Sequence, residues 1–238
     1  MKREVFEAVV RARREKRAVV LFTELGTGQG ALWAPGDAPL DPVRAEAARK
    51  ALATDDAFTV SPEGAPAFFV QPFNPPLRLV LVGAVHISEA LAAFARIAGY
   101  AVTIVDPREA FARRDLFPGA TVHAEWPDEV LEGMQLDHRA AVVTLTHDPK
   151  IDDPALEAAL RSPAFYLGAL GSGKTHASRL ARLAARGFDQ AALKRIHGPV
   201  GLRIGGRTPA EVALSALAEI TLCLRQGPGA PSPVSGGG

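Results

Sequence analysis

The first 75 residues combine helical spacing with short apolar runs, which is typical of a small α+β domain. Val5 and Val9 lie one helical turn apart, so a helix is predicted over residues 3–16. Because paired prolines stiffen a linker, Asn74-Pro75-Pro76 predicts a domain boundary, with residues 1–75 as the first domain. The other elements predicted before this boundary are strands over 17–25 and 31–34, a helix over 41–52, and short strands near 57–60 and 67–72.

Strand and helix patterns alternate from residue 76 to 226, which predicts right-handed βαβ units around a parallel sheet. Strands are predicted over 77–82, 101–105, 120–123, 140–145 and 164–167, and helices near 87–98, 127–133, 153–161, 173–186, 189–195 and 209–224. The predicted fold class is therefore α/β, with a small N-terminal α+β domain followed by a Rossmann-like parallel sheet domain. Residues 227–238, rich in Gly, Pro and Ser, are predicted to form a disordered tail.

Composition removes several function classes. The sequence has 27 basic and 26 acidic residues, a net charge of +1, so no nucleic-acid partner is expected. No apolar run reaches the length of about 18 residues that a membrane helix needs, so no membrane partner is expected either. The single cysteine, Cys223, excludes an internal disulfide framework and is expected to be a core thiol. These features predict a cytoplasmic protein.

A glycine turn follows the first strand of the second domain, where Rossmann folds carry Gly-x-Gly-x-x-Gly. Gly83 matches the first glycine, but Val85 stands at the second, where a side chain would push a pyrophosphate away. Asp106 ends the next strand near the offset of a ribose-binding acid, and Arg108 beside it is a candidate phosphate ligand. Two interpretations stay open, a dinucleotide site or a dinucleotide fold that no longer binds one.

A second glycine-rich segment, residues 168–175, matches the P-loop pattern Gly-x-x-x-x-Gly-Lys-Thr between a strand and a helix. Helix N-termini attract phosphate, so Gly171, Ser172, Lys174 and Thr175 are candidate anion ligands. The segment follows a late strand, which favours anion binding without NTP hydrolysis. The alternative is a turn of small residues that matches the pattern by chance.

Three histidines lie in predicted loops of the second domain. His147 and Asp148 follow a parallel strand, where they are placed for proton transfer or ligand hydrogen bonds, or form only a capped turn. His86 and His197 lie on loops that could converge with His147. Separate loop histidines are the favoured interpretation over a metal site, and no metal is predicted.

The ordered segments of the second domain resemble the XdhC/CoxI family, accessory proteins that mature xanthine dehydrogenase and related molybdenum hydroxylases. The resemblance spans about residues 77–220, whereas the family's N-terminal Gly-Gly-Cys segment has no cysteine in the comparable region, 36–41. The matching segments are 82–86, 105–108, 117–120, 145–154, 165–172, 175–176, 195–202 and 208–211.

The resemblance implies a chaperone, not a catalyst, that transiently binds molybdenum cofactor, supports its sulfuration and inserts it into an apo-hydroxylase. It also implies a cysteine desulfurase as a partner, and a two-fold homodimer is the commonest assembly. Competing hypotheses are an NAD(P)- or ATP-dependent enzyme, or a scaffold that docks the hydroxylase without cofactor. The predicted cofactor-binding residues are Gly83, His86, Asp106, Arg108, His147, Asp148, Gly171, Ser172, Lys174, Thr175 and His197.

Overall fold

The structure is a computed structural model and describes residues 2–226, so the predicted tail over 227–238 lies outside the described residues. The described chain forms two compact units, residues 2–76 and residues 77–226.

The first unit is an antiparallel sheet with two helices. The strands lie in the order 30–33, 19–24, 68–73 and 58–60. The second helix begins at Pro42 because the Asp41 side chain accepts a hydrogen bond from the Arg44 amide. The hydrophobic core of this unit includes Val20, Phe22 and Phe68. Its elements are α1 (Arg3–Arg14), β1 (Val19–Glu24), β2 (Gly30–Trp33), α2 (Pro42–Thr54), β3 (Phe58–Val60) and β4 (Phe68–Phe73).

The second unit is a six-stranded, fully parallel sheet in the order β7-β6-β5-β8-β9-β10. Numbered within the unit, this is the 3-2-1-4-5-6 order of dinucleotide-binding Rossmann folds, so the predicted fold class is confirmed. The strands are β5 (Arg78–Val82), β6 (Ala101–Val105), β7 (Thr121–His123), β8 (Ala140–Thr144), β9 (Tyr166–Ala169) and β10 (Ile196–His197). The helices are α3 (His86–Ile97), α4 (Pro127–Gly133), α5 (Pro149–Leu160), α6 (Gly173–Ala185), α7 (Gln190–Leu193) and α8 (Pro209–Gln226).

The largest differences from the sequence prediction concern β10 and α5. Residues 196–197, predicted as loop, pair with β9 as the edge strand β10. Helix α5 begins at Pro149, earlier than predicted, because the Asp148 side chain caps the Lys150 amide and proline fits the first helical position.

Both faces of the parallel sheet are covered, which explains its continuous apolar strands. Along β5, Val80 and Val82 pack into one core beneath α4, α5 and α6, while Leu79 and Leu81 pack into the other beneath α3 and α8. All four of these side chains are fully buried. The strands are therefore buried on both faces. The predicted site residues lie at the carboxyl ends of the strands, in the loops there or just after them.

The strand order reverses between β5 and β8, and ligands of open α/β folds bind at such a switch point. Gly83, directly after β5, has a φ of +109°. A Cβ atom there would lie 2.6 Å from Cγ2 of Thr146, in the loop after β8. The glycine is required because two loops of the chain meet at this point.

Replacing Gly83 with alanine should lower the free energy of unfolding by about 2 kcal/mol or more, since it combines left-handed strain with a steric clash. Urea unfolding measures this effect. Gly133→Ala is the control, because a Cβ there meets nothing within 4 Å and no positive φ is required. Equal stability of the two variants would contradict the contact between the loops.

Candidate functional site

The carboxylate of Asp106 accepts hydrogen bonds from nearby groups of the same chain. Asp106 is fully buried, and its Oδ2 accepts hydrogen bonds from the Ala84 amide at 2.8 Å and Nη2 of Arg108 at 2.7 Å. Its Oδ1 accepts from Nε and the amide of Arg108, at 2.9 and 3.0 Å. Burial alone would raise the pKa of Asp106, but Arg108 and the amides hold it below its ordinary value. Asp106 therefore braces the Gly83 turn and lacks the free oxygens that a ribose would need.

The guanidinium of Arg108 is used mainly for its ion pair with Asp106. Two of its three guanidinium nitrogens bond Asp106, and its guanidinium carbon lies 4.6 Å from the centre of the Phe111 ring. About 39% of the Arg108 side chain is exposed. Its role as a phosphate ligand stays a prediction, with most of its charge compensated by Asp106.

A side chain of the helix that follows Gly83 forms hydrogen bonds with the turn before the helix. The Ser88 hydroxyl is buried, donates to the Gly83 carbonyl and accepts from the Val85 amide at 3.4 Å. The Val85 side chain packs against the core. His86 points away from this turn's interior, with 89% of its side chain exposed and Nδ1 3.3 Å from Glu89. A dinucleotide cradle has glycine at the Val85 position and free amides that face the phosphates. In this turn the amides of Ala84 and Val85 are bonded to Asp106 and Ser88 instead.

Asp152, which the sequence analysis missed, organises the loop after β8. Its buried carboxylate accepts the Thr146 hydroxyl at 2.6 Å and the His147 amide at 3.2 Å. This holds His147 at a φ of +65° with an exposed side chain. Burial raises the pKa of Asp152 despite these hydrogen bonds. Asp148 is the N-cap of α5, so its capped-turn interpretation is supported.

Arg179 joins this loop to the next one. The side chain is fully buried, and its Nη2 donates to the Leu170 carbonyl at 2.8 Å and lies 3.7 Å from Oδ2 of Asp152. Burial lowers the pKa of Arg179 below its ordinary value. Beside it, Arg182 bonds the buried Asp153 through two nitrogens, at 2.6 and 2.9 Å. The loops after β8 and β9 are therefore held by buried charges between α5 and α6.

The P-loop match does not produce a P-loop. Gly168, the first glycine of the pattern, lies inside β9, where a Cβ would meet Tyr166 and Val200 at 2.8 Å. Only Leu170 and Gly171 separate the strand from Ser172, the N-cap of α6. A phosphate-wrapping loop needs more residues between strand and helix, which agrees with the expectation that this segment does not hydrolyse NTP.

A simple helix N-terminus remains at this position. The Ser172 hydroxyl accepts the Thr175 amide at 3.1 Å and lies 2.9 Å from the Thr175 hydroxyl. The amides of Gly173 and Lys174, at the first helical positions, have no partner inside a helix. Lys174 is exposed beside them. Backbone amides and a lysine together form an anion-attracting end at the carboxyl edge of the sheet.

His197 is a member of a side-chain network rather than a separate loop histidine. Its ring stacks on Tyr166 with ring centres 4.6 Å apart. Its Nδ1 lies 3.4 Å from Glu219, and its Nε2 lies 3.9 Å from the sulfur of Cys223. Burial opposes protonation, yet Cys223 and Glu219 raise the pKa of His197 to about 9. Cys223 packs against the core but is only partly buried, so the expectation of a buried core thiol is corrected only in its burial.

The structure therefore places nine of the eleven predicted residues in three sets, with His86 and His197 outside them. Gly83, Asp106 and Arg108 brace one turn, His147 and Asp148 form the loop after β8, and 171–175 open α6. His86, His147 and His197 lie in different surroundings, and residues 2–226 contain no group of three or more His, Cys, Asp or Glu placed to hold a metal ion. Within the same range, no helix has the length and apolar character needed to span a membrane.

Asp106→Asn should lower the free energy of unfolding by about 2 kcal/mol at pH 7, because the buried side chain loses its charge-assisted hydrogen bonds with Arg108. The pKa of Asp106 lies below its unfolded value of 3.8, so this stabilisation is fully present above that pH. It should disappear as the pH falls through the folded-state pKa. Urea unfolding between pH 7 and pH 3 measures both effects.

Asp115→Asn is the matched control for this substitution. Asp115 bonds Arg113 at the same sequence spacing, but 63% and 58% of the two side chains are exposed. We expect no measurable change in stability, since water screens such a pair. Equal losses in the two variants would contradict the bracing role of Asp106.

Several known proteins are similar to this chain. The chain is 32% identical over 168 residues to the uncharacterised protein YqeB of Escherichia coli, covering 70% of the chain and 31% of YqeB. It is 34% identical over 148 residues to the molybdenum cofactor insertion chaperone PaoD of Escherichia coli, covering 62% and 40%. It is 33% identical over 153 residues to a Bacillus subtilis protein named as a probable xanthine dehydrogenase subunit, covering 64% and 44%.

The chain thus spans less than half the length of each of these curated relatives. A crystal structure described as a xanthine dehydrogenase from Bacillus halodurans has the same fold, with a TM-score of 0.71 at 23% identity over 98% of this chain and 67% of that one. The family model described as the XdhC Rossmann domain matches residues 79–220, more than half of the chain. The protein therefore belongs to the XdhC family.

Proposed function

We propose that this chain is an accessory chaperone that binds molybdenum cofactor, supports its sulfuration and helps to insert it into an apo-hydroxylase of the xanthine dehydrogenase type. The proposal is supported by membership of the XdhC family. It is also supported by the names of two relatives, a molybdenum cofactor insertion chaperone and a probable xanthine dehydrogenase subunit. The cofactor is cargo in this account, bound transiently and passed on.

The observation that carries the proposal is the pair of loops at the carboxyl ends of β8 and β9. The side chain of His147 is exposed on one loop, and the anion-attracting end of α6 lies on the other. Asp152 and Arg179 fix the two loops with respect to each other. A pterin phosphate fits the amides of Gly173 and Lys174, because free amides at a helix N-terminus bind anions. His147 then supplies a hydrogen-bonding side chain beside the phosphate.

The alternative of a nucleotide-dependent enzyme has less support. The oxygens of Asp106 already accept hydrogen bonds from groups of the chain itself. Val85 stands where a pyrophosphate would approach the turn. Gly168 lies within a strand, so ATP has no wrapping loop there. The scaffold hypothesis rests on Val85 and on the missing N-terminal cysteine, and neither feature lies on the loops after β8 and β9.

The proposed partners follow from the chaperone role. The first is the apo-form of a molybdenum hydroxylase, which receives the cofactor. A cysteine desulfurase is proposed as the sulfur source, and a homodimer as the assembly, since two-fold dimers are the commonest soluble oligomers. The cytoplasm is the proposed compartment, because a thiol-dependent sulfur supply needs a reducing environment.

Lys174→Ala should weaken binding of purified molybdenum cofactor about tenfold, the usual cost of losing a hydrogen bond to a charged group. His147→Asn should also weaken binding, and asparagine is chosen because it tolerates the left-handed backbone of His147. Anaerobic equilibrium dialysis measures both affinities.

Lys194→Ala is the matched control for the lysine. Lys194 is also exposed, but it lies just before β10 and so at the amino edge of the same sheet. This variant should bind the cofactor like the wild type. If Lys174→Ala and His147→Asn both bind like the wild type, the cofactor lies elsewhere and the proposed site is wrong.

A further inference from the structure

The chain's single cysteine lies in a row with a histidine and a buried glutamate. Sγ of Cys223 lies 3.9 Å from Nε2 of His197, and Nδ1 of the same ring lies 3.4 Å from Oε1 of Glu219. Cys223 and Glu219 lie one turn apart on α8, and His197 ends β10. A thiol beside an imidazole that a third group orients is the arrangement of an activated cysteine nucleophile.

The acid of this row is firmly held. Glu219 is buried, and its Oε2 accepts the Tyr166 hydroxyl and, at 2.8 Å, the Gly201 amide. Burial raises the pKa of Glu219, but His197, Tyr166 and Gly201 outweigh burial and keep it below its ordinary value. The Tyr166 ring also stacks on His197 and fixes its plane. A charged Glu219 therefore accepts a hydrogen bond from the proton on Nδ1 of His197, and this orients the ring so that Nε2 faces the thiol.

The charged and titratable groups around His197 come from three elements. Tyr166 faces it from β9, Glu219 and Cys223 from α8, and His176 from α6. Burial, and then the positive charges of Arg179 and His197, lower the pKa of His176. His176 is therefore the uncharged neighbour, and the imidazolium beside the thiol is that of His197.

Buried nitrogens without hydrogen-bond partners lie near this row. They are Nε and Nη1 of Arg179 and Nδ1 of His176, which have no partner among the residues that the structure describes. The charges of Arg179 and His197 both act on His176, and its ring fills the space where Gly198 would carry a Cβ. Buried polar groups without partners are rare in folded proteins. The Arg179 nitrogens are therefore able to donate to a ligand that carries negative charge or acceptor atoms.

We propose that Cys223, with His197 and Glu219, forms a sulfur-accepting site that takes sulfane sulfur from a persulfide donor. This inference deepens the proposed function, because sulfuration of the cargo would consume the sulfur that Cys223 receives. The site also supplies a thiol, which the comparable N-terminal segment lacks.

The transfer balances without an oxidant or a reductant. The Cys223 thiolate attacks the outer sulfur of R–S–SH, forming a new S–S bond while the bond between the donor's two sulfurs breaks. The departing thiolate takes the proton from the His197 imidazolium and leaves as R–SH. The products are a Cys223 persulfide, neutral His197 and a thiol, and His197 then regains a proton from water.

The first test is the rate at which iodoacetamide alkylates the full chain. Cys223 is the only cysteine in the sequence, so the label reports one site. An ordinary thiol is only about 1% thiolate at pH 6.5, and only the thiolate reacts. We expect the wild type to react about tenfold or more faster than His197→Gln at this pH. Equal rates would overturn the proposal.

His123→Gln is the matched control. His123 also ends a strand of this sheet and also pairs with a glutamate, with Nδ1 3.1 Å from Glu125. The rate should not change in this variant. If His197→Gln does not fold, the wild-type pH profile decides. A rate held nearly constant from pH 7.5 to 6.5 supports the site, whereas a fall of about tenfold, as for an ordinary thiol, overturns it.

The second test uses glutathione persulfide as the donor and intact mass spectrometry as the readout. The wild type should gain the mass of one sulfur atom, and Cys223→Ser should gain none. A gain in both, or in neither, overturns the proposal. Cofactor binding by Cys223→Ser separates this inference from the proposed function. Binding without sulfur uptake leaves the chaperone role intact, and sulfur uptake by a wild type that binds no pterin contradicts the chaperone role alone.

Discussion

The buried contact between Asp152 and Arg179 is the constraint on which the candidate site depends. Both side chains are removed from water, at a cost that charged groups recover only through well-placed partners. Asp152 uses its oxygens to bond the backbone and hydroxyl of the loop after β8, and Arg179 bonds the loop after β9. Removing one member of such a pair typically costs about 3–5 kcal/mol. The two loops therefore keep a fixed spacing that exposed loops would not hold by themselves.

The sheet retains the architecture of a dinucleotide-binding fold while its own side chains fill the places of the dinucleotide. Asp106 bonds Ala84 and Arg108 instead of a ribose, and Ser88 closes the turn that would otherwise face a pyrophosphate. What remains exposed is shifted toward β8, β9 and β10. The two proposals use neighbouring parts of this edge, with the pterin at the α6 terminus and the sulfur acceptor beside β10.

The sequence predicts the fold well because its signals are periodic. Apolar strands such as β5 and capped helix starts such as Thr208–Glu211 are local features, and they identify the alternating elements. The strand β10 escaped prediction because its two residues gain their structure only from pairing with β9. The P-loop pattern of 168–175 does not define the loop geometry, since the sequence pattern alone does not reveal that Gly168 lies inside β9.

The site was harder to predict because its most informative groups act over long sequence distances. Glu219 reaches Tyr166 across 53 positions, and Arg179 reaches Asp152 across a strand and a loop. One signal was available, because Asp152 and Asp153 occupy positions that the apolar periodicity of α5 places in the core. Charged residues at such positions indicate buried partners.

Native mass spectrometry of the protein, purified anaerobically from cells that make molybdenum cofactor, tests cofactor binding most directly. We expect the folded chain to retain a pterin mass, with or without molybdenum. An adenine nucleotide in its place would show that the proposed cargo is wrong, because the carboxyl edge of the sheet would then hold a ligand for which Asp106 and Val85 leave no room.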